Sequence, residues 1–369
     1  MLRLSSNLLA RAAAPLRARC SDEDDRAGAL EQHRAGALEQ HVGNTPLIYL
    51  SALSKQTGCK IYGKAEYLNP GGSVKDRAAR QMILEAEQSG RLKKGGVIVE
   101  GTGGNTGVAL AAFGAAKGYG VILTMPNIIA REKVQLAERY GAKVILQPLV
   151  PFANPENYAR KAETLAKEIP GAIFTNQFES LANFRAHYGG TGPEIWAQTK
   201  GSVDGFVTSA GTGGTLAGVS SYLKLISNGR VQCFLIDPLG SILYNFVESG
   251  RTLAEGNSEI EGIGIGRITA NFSQGELDGA LRGTDQEAVD MAYWLMRNEG
   301  LCLGPSAALN VVGAVKLARR LGEGKTVVTV LCDSGERYSS KLYNDEWLAK
   351  HKLRPSAAAL TGKDLSFVK

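Results

Sequence analysis

The chain has 369 residues, room for about two domains, and its 44% hydrophobic and 21% charged content is that of an ordinary globular protein. The charge of +6 comes from 42 basic against 36 acidic side chains; four of the arginines (Arg3, Arg11, Arg17, Arg19) stand in the first 20 residues, and the remainder balances 38 against 36, poor support for nucleic-acid binding. No run approaches the roughly 18 apolar residues of a membrane span, five scattered cysteines without a CxxC pair argue against a zinc site or a disulfide framework, and four histidines leave little for a His-based metal centre or a Ser-His-Asp triad.

In chain order, "MLRLSSNLLARAAAPLRARC" is rich in Arg, Ser, Ala and Leu and has no acid, the composition of an organelle transit peptide. A mitochondrial presequence is the expectation, with a plastid leader or a basic tail on a cytoplasmic protein as alternatives. "SDEDD" follows, then "RAGALEQH" twice in succession, at 26–33 and 34–41. A single eight-residue duplication is not a solenoid, which needs several longer repeats, and it reads as a tandem duplication in a helical lead-in.

From Val42 onward short β-rich runs alternate with Ala/Leu-rich amphipathic stretches. The predicted strands are 97–100, 121–125, 143–147, 172–177, 205–211, 233–237 and 327–332. Between them, "RAARQMILEAEQSG" and "NTGVALAAFGAAKG" have helical spacing. Such alternation predicts an α/β fold with largely parallel sheets, in two units. "FANPEN" (152–157) reads as a loop, Cys302 and Cys332 as core, and the part after about Asp345 as an extension of little information.

Three glycine-rich turns open helices: "GGSVKDR" (71–77), "EGTGGNTG" (100–107) and "SAGTGGTLAG" (209–218). A strand, a glycine turn and a helix start together present free backbone N–H groups at the positive end of a helix, a ready anion site, which glycine lets an anion approach closely. None is a GxxxxGK[ST] phosphate loop, and none is a GxGxxG dinucleotide fingerprint, since Leu216, Thr106 and Arg267 stand where the third glycine would be. Lys75 sits at the start of a predicted helix, the wrong end of the dipole for a cation. One reading is a solvated lysine paired with Asp76. The other is an amine kept neutral by its surroundings. Two anion sites and such an amine suggest a cofactor with both a phosphate and an aldehyde, as in pyridoxal phosphate.

From about Val42 to Asp345 the chain resembles the cysteine synthase (O-acetylserine sulfhydrylase) and cystathionine β-synthase family of fold-type II pyridoxal enzymes. "VGNTPLIYL", "NPGGSVKDRAA", "EGTGGNTG", "NQFES" (176–180), "GTGGT" (211–215), "EGIGIG" (261–266) and "DSGERY" (333–338) occur in that family's order. The resemblance implies a two-domain, three-layer αβα fold of the tryptophan-synthase-β type. It places a large domain at 42–80 plus 190–345 and a smaller, mobile domain at 81–189, with 1–41 as leader and duplicated lead-in and 346–369 as C-terminal extension.

The resemblance also implies roles. Lys75 would carry the cofactor. Gly211, Thr212, Gly213, Gly214 and Thr215 would hold its phosphate, Asn105 its ring hydroxyl and Ser334 its ring nitrogen, with Gly262 close to its face. Thr102, Gly103, Gly104, Asn105 and Thr106 would wrap the substrate carboxylate with help from Gln177. A serine rather than a carboxylate at the ring nitrogen leaves the ring a limited electron sink, which favours prompt loss of a β-leaving group. The implied reaction is replacement of acetate in O-acetyl-L-serine by sulfide to give L-cysteine, with Lys75 as general base. Cystathionine synthesis, cysteine desulfhydration and a non-catalytic cleft for a partner tail are the alternatives. A homodimer, and a serine acetyltransferase C-terminal tail as partner, are implied by resemblance alone. Gly103 stands where the family has a serine, and "GPSAALN" (304–310) replaces its usual Ser-Gly run.

Overall fold

A computed structural model describes residues 37–362 and 364–369, so the leader, the acidic stretch and the first copy of the duplication lie outside the described residues. Among the described residues, ten strands form two sheets. The larger sheet contains β1 (Leu47–Tyr49), β2 (Lys60–Ala65), β7 (Gly205–Thr208), β8 (Gln232–Pro238), β9 (Gly279–Gly283) and β10 (Thr326–Leu331). Its spatial order is β1-β2-β10-β7-β8-β9, and only β1 runs antiparallel to its neighbour. The smaller sheet contains β3 (Val97–Gly101), β4 (Gly120–Pro126), β5 (Lys143–Gln147) and β6 (Ala172–Phe174), all parallel in the order β5-β4-β3-β6.

Local sequence explains most of these elements. Every residue of β10 is buried, the continuous apolar run expected of a central parallel strand. Helix α2 (Lys75–Gln88) buries Ala78, Ala79, Met82, Ile83 and Ala86, one face at helical spacing. Helix α10 (Asp285–Asn298) begins with a capping box in which Thr284 and Glu287 satisfy each other's backbone N–H. Helix α11 (Pro305–Leu321) takes Pro305 at its first position, where the missing N–H costs nothing, and is buried along most of its length against the large sheet. Helices cover the sheets to give the three-layer architecture.

All seven predicted strands are present. Of the other three, β1 lies in the "VGNTPLIYL" motif, and β2 and β9 had no clear sequence signal. In β2, "KIYGKA" mixes lysines with apolar residues, and the buried Lys64 Nζ is satisfied by Glu194 (2.6 Å), the Thr45 carbonyl (2.6 Å) and Gln198 (3.0 Å). In β9, "GALRG" is short and bounded by glycine. The last 24 residues are not a loose appendage: Leu348, Ala359, Leu365, Phe367 and Val368 belong to the large core cluster. Arg319 of α11 donates to the carbonyls of Val368 (2.7 Å) and Leu365 (3.1 Å), and fastens the chain end across the helix. Cys332 is buried as expected, whereas Cys302 is exposed.

The strand order positions the site. Chain progression reverses on either side of β3, whose neighbours are β4 and β6, and on either side of β7, whose neighbours are β8 and β10. In open α/β sheets ligands bind at such switch points, beyond the carboxyl ends of the strands. The two glycine loops are the segments that leave the carboxyl ends of β3 and β7.

Candidate functional site

One cavity is lined by both glycine loops, by Lys75 and Val74, by the Glu261–Ile265 segment and by Ser306 and Cys332. Lys75 is the first residue of α2, and its position is set by the turn before it. Val74 N–H donates to the Cys332 carbonyl (2.9 Å), and Ser73 forms a bridge with Asp333. Asp76 does not pair with Lys75. Its carboxylate turns back to accept the Gly71 N–H and the Ser73 hydroxyl (3.4 Å), and burial pushes its pKa up to about 7. The Lys75 Nζ has no hydrogen-bond or ion-pair partner among the described residues. Burial lowers its pKa; Cys332 and Asp333 oppose the shift and Lys133 adds to it. The mismatch at the helix start thus corresponds to an amine biased toward its neutral, nucleophilic form.

The loop after β7 opens helix α8 (Gly214–Ile226). Gly211, Thr212, Gly213 and Thr215 line the cavity, and the two glycines pack too closely on their neighbours to carry side chains. A Cβ on Gly211 would lie 2.4 Å from the Gly262 carbonyl oxygen, and one on Gly213, where φ is +87°, 2.6 Å from Phe272. Gly214 is a supporting residue rather than a lining one: a Cβ there would meet the Asn183 carboxamide at 2.1 Å. Asn183 also donates to the Thr212 hydroxyl (2.8 Å). Thr215 Oγ1 lies 3.1 Å from Nε2 of the buried His187. Burial, then Arg77 and Lys75, holds that imidazole well below its usual range, so it stays neutral. The hydroxyl of Ser209 is buried without a partner among the described residues, and Ser209 borders the same cavity.

The loop after β3 opens helix α3 (Asn105–Lys117). Thr102, Gly103, Gly104, Asn105 and Thr106 all line the cavity, as do Gln177 and Gly262. Gly104 has φ +139°, a conformation open in practice to glycine. The Thr106 hydroxyl donates to Gln177 Oε1 (2.5 Å), and Gln177 Nε2 donates to the Gly101 carbonyl (3.0 Å). Gln177 N–H in turn donates to Glu100 Oε2 (3.2 Å), which also accepts from Thr175 (2.5 Å). Burial pushes the Glu100 carboxyl up to about 7 against these hydrogen bonds.

A carboxyl whose pKa rises on folding makes stability fall as pH climbs through the interval from its unfolded to its folded value. The shift from 4.5 to about 7 is worth ~3 kcal/mol at pH 8. Glu100→Gln is therefore expected to lose that part of the slope and to gain stability over wild type as pH rises from 5 to 8. Denaturant unfolding of both proteins across that range checks it, and parallel curves would refute it.

The sequence profile of the family described as "Pyridoxal-phosphate dependent enzyme" matches residues 38–333. The chain belongs to that family. A cysteine synthase of Dictyostelium discoideum is 51% identical over 338 residues, which is 89% of this chain and 88% of its own length. Cysteine synthase 1 of Neurospora crassa is 50% identical over 316 residues, 85% of this chain and 84% of its own. The crystal structure of an O-acetylserine dependent cystathionine beta-synthase from Helicobacter pylori superposes with a TM-score of 0.75 at 34% identity, over 82% of this chain and 97% of that one.

The site of this pyridoxal-phosphate enzyme fits its cofactor: an amine without a partner among the described residues and a glycine loop packed too closely to carry side chains line one cavity, with the buried Ser209 hydroxyl beside them. One expected residue is misplaced. Ser334 does not line the cavity, because its hydroxyl accepts the Glu336 N–H (3.3 Å) and caps the turn Gly335–Tyr338. Besides Ser209, the serine that lines it is Ser306, the second residue of α11, buried beside the Cys332 thiol. "GPSAALN" contained that signal, since a serine after Gly-Pro at a helix start has its side chain near the free N–H groups. Lys133 had no sequence signal, and Glu261 stood in the "EGIGIG" motif with no role assigned. Lys133 is buried on α4 (Arg131–Arg139), 2.7 Å from Glu261 Oε2 and 4.2 Å from the Tyr338 ring centroid, and it borders the cavity beside Gly104.

Proposed function

We propose that this pyridoxal-phosphate enzyme is a cysteine synthase that replaces the acetate of O-acetyl-L-serine with sulfide. The observation that carries the reading is Lys75: an unpartnered amine with a lowered pKa, on the wall of a cavity bounded by two glycine loops. Pyridoxal phosphate would supply the sink for the electron pair left when the substrate loses its α-proton. Lys75 takes that proton and returns it to the product. Thr102 to Thr106 wrap the substrate carboxylate, and Gln177 orients Thr106. Gly211 to Thr215 bind the phosphate through the N-terminus of α8, a 13-residue helix. Asn105 would donate to the ring oxygen, and Ser306, in place of Ser334, would serve the ring nitrogen. Similarity to cysteine synthases at about half of all positions supports this substrate pair.

Protein supplied with pyridoxal phosphate, O-acetylserine and sulfide should release L-cysteine and acetate. Absence of both products, with the cofactor bound, would overturn the reading. A second nucleophile is favoured by one observation: a further pocket walled by Phe152, Phe178 and Arg267 shares Tyr158, Phe178 and Ile265 with the main cavity. That pocket has room for a thiol larger than sulfide, and homocysteine in place of sulfide tests it. By family resemblance the enzyme works as a homodimer, and the cavity can receive the C-terminal tail of a serine acetyltransferase. The acid-free, Arg-bearing first 20 residues favour a mitochondrial location. The smaller sheet, within 81–189, is proposed as a mobile domain that closes on substrate.

Gly103 is proposed to set substrate fit. A Cβ there would meet only Ile129 Cδ1, at 4.0 Å, and its backbone needs no glycine. Gly103→Ser is thus expected to fold normally and, through one added hydroxyl, to lower the KM for O-acetylserine by roughly three- to tenfold, as one net hydrogen bond of about 1 kcal/mol allows. Steady-state kinetics decides; an unchanged or raised KM refutes the assignment.

A further inference from the structure

Asp333 lies two residues beyond the end of β10 and is fully buried. Its Oδ2 accepts two short hydrogen bonds, from Asn105 Nδ2 (2.6 Å) and from the Tyr338 phenol (2.6 Å). Its Oδ1 has no partner among the described residues and faces Gly304, where a Cβ would lie 2.2 Å away. The Asn105 carbonyl oxygen accepts from Arg337 Nη1 (2.9 Å). Asn105 thus has its acceptor and one of its two N–H donors occupied by residues from the far end of the chain. One N–H remains, and Asn105 borders the cavity.

We propose that Asp333 is a positioning residue that acts through Asn105, and fixes its carboxamide so that the remaining N–H can serve only as a donor to the cofactor's ring oxygen. This rests on the pyridoxal-phosphate reading of the site. The physical basis is donor and acceptor identity. A carboxylate accepts at every lone pair, so it cannot tolerate the flipped amide, which would set two oxygens against each other. Arg337 enforces the same orientation from the other side, since a guanidinium has no acceptor. Burial, then Asp333 and Glu261, holds the Tyr338 phenol well above its usual range, so it too remains a donor to Asp333. Charge-assisted hydrogen bonds of this kind are among the stronger ones, and both ends are tied to backbone that is itself pinned. Asp333 bridges to Ser73, two residues before Lys75, and its carbonyl accepts the Gly304 N–H (3.0 Å), two residues before Ser306.

The test compares Asp333→Asn in two backgrounds, wild type and Asn105→Ala, each loaded with pyridoxal phosphate. In the wild-type background the substitution should change the ratio of the visible absorbance bands of the bound cofactor. It should also lower kcat by roughly tenfold with little change in KM, as loss of an outer partner of a site ligand does. In the Asn105→Ala background the band ratio should move less than twofold on adding Asp333→Asn. An unchanged band ratio in the first background, or an equal change in both, would overturn the proposal. A measurement on the unsubstituted protein stands beside it if Asp333→Asn fails to fold. In the cofactor-free protein one Asn105 Nδ2 proton should resonate far downfield by NMR, and the other should shift only when cofactor is added. Two equivalent, solvent-like protons would also overturn the proposal. If the wild type takes up no pyridoxal phosphate, the functional reading fails instead, and the amide signals of the cofactor-free protein still decide whether Asp333 holds Asn105.

Discussion

Replacing Lys75 with alanine is expected to give a folded protein whose turnover falls by at least roughly 10³-fold, because one side chain serves both as nucleophile and as general base. The fold should survive because the Nζ has no partner among the described residues to be left unpaired. Removal of a buried amine also relieves a desolvation cost, the same cost that lowers its pKa. The other amine on the cavity wall cannot substitute. Lys133 is held by Glu261 at 2.7 Å and lies over the Tyr338 ring. Unfolding curves and a turnover assay with fresh cofactor check the two halves of the prediction. Turnover near the wild-type rate would remove Lys75 from the proposed mechanism.

The largest expected loss of stability follows from Glu66→Gln. Arg77 is buried on α2, two residues after Lys75, and donates through Nε (2.7 Å) and Nη2 (2.8 Å) to Glu66. It also donates through Nη1 and Nη2 (both 2.7 Å) to Glu194 on helix α7 (Gly192–Gln198). Burial opposes all these charges. Their pairing nevertheless keeps the Arg77 pKa raised and holds Glu194 at about 2. Glu66 also accepts from Thr45 and Asn69, both at 2.8 Å. Neutralising Glu66 leaves a buried guanidinium with half its compensation and should cost about 3–5 kcal/mol. The same cluster ties the turn before Lys75 to β2, so cofactor occupancy should fall as well. Chemical denaturation gives the stability change; a value below about 1 kcal/mol would show that the network tolerates the loss, as surface pairs do.

The parts of the site that were legible share one property. The loops 100–107 and 209–218, and the turn before Lys75, are contiguous. Glycine conformation, a helix start and its free N–H groups act within a few residues. Each loop therefore shows the same pattern in the sequence and in the structure. Ser334 and Ser306 show where that reasoning stops. Both serines stand at a helix start: Ser334 caps the turn Gly335–Tyr338 and Ser306 is the second residue of α11. Ser334 spends its hydroxyl on its own turn, and Ser306 reaches the cavity only because α11 docks beside the end of β10. The buried lysines are similar. Lys64 sits in a strand because Glu194 comes to it, and Lys133 borders the cavity because Glu261 does. Nothing in "KIYGKA" or "REKVQLAER" carries that information.

By itself, then, the sequence determined the α/β alternation, the glycine loops at the ends of two strands, and a lysine at the mouth of a helix. These follow from periodicity, turn geometry and helix ends, whose range is a few residues. The tertiary structure decided the strand order that makes those loops switch points, the neutral bias of Lys75, the serine that faces the cavity, and the clamp of Asp333 and Arg337 on Asn105. It also decided that the last residues close the core. Each of these is a sum of burial, charge and hydrogen bonding over groups far apart in the chain, and that sum exists only once the chain has folded.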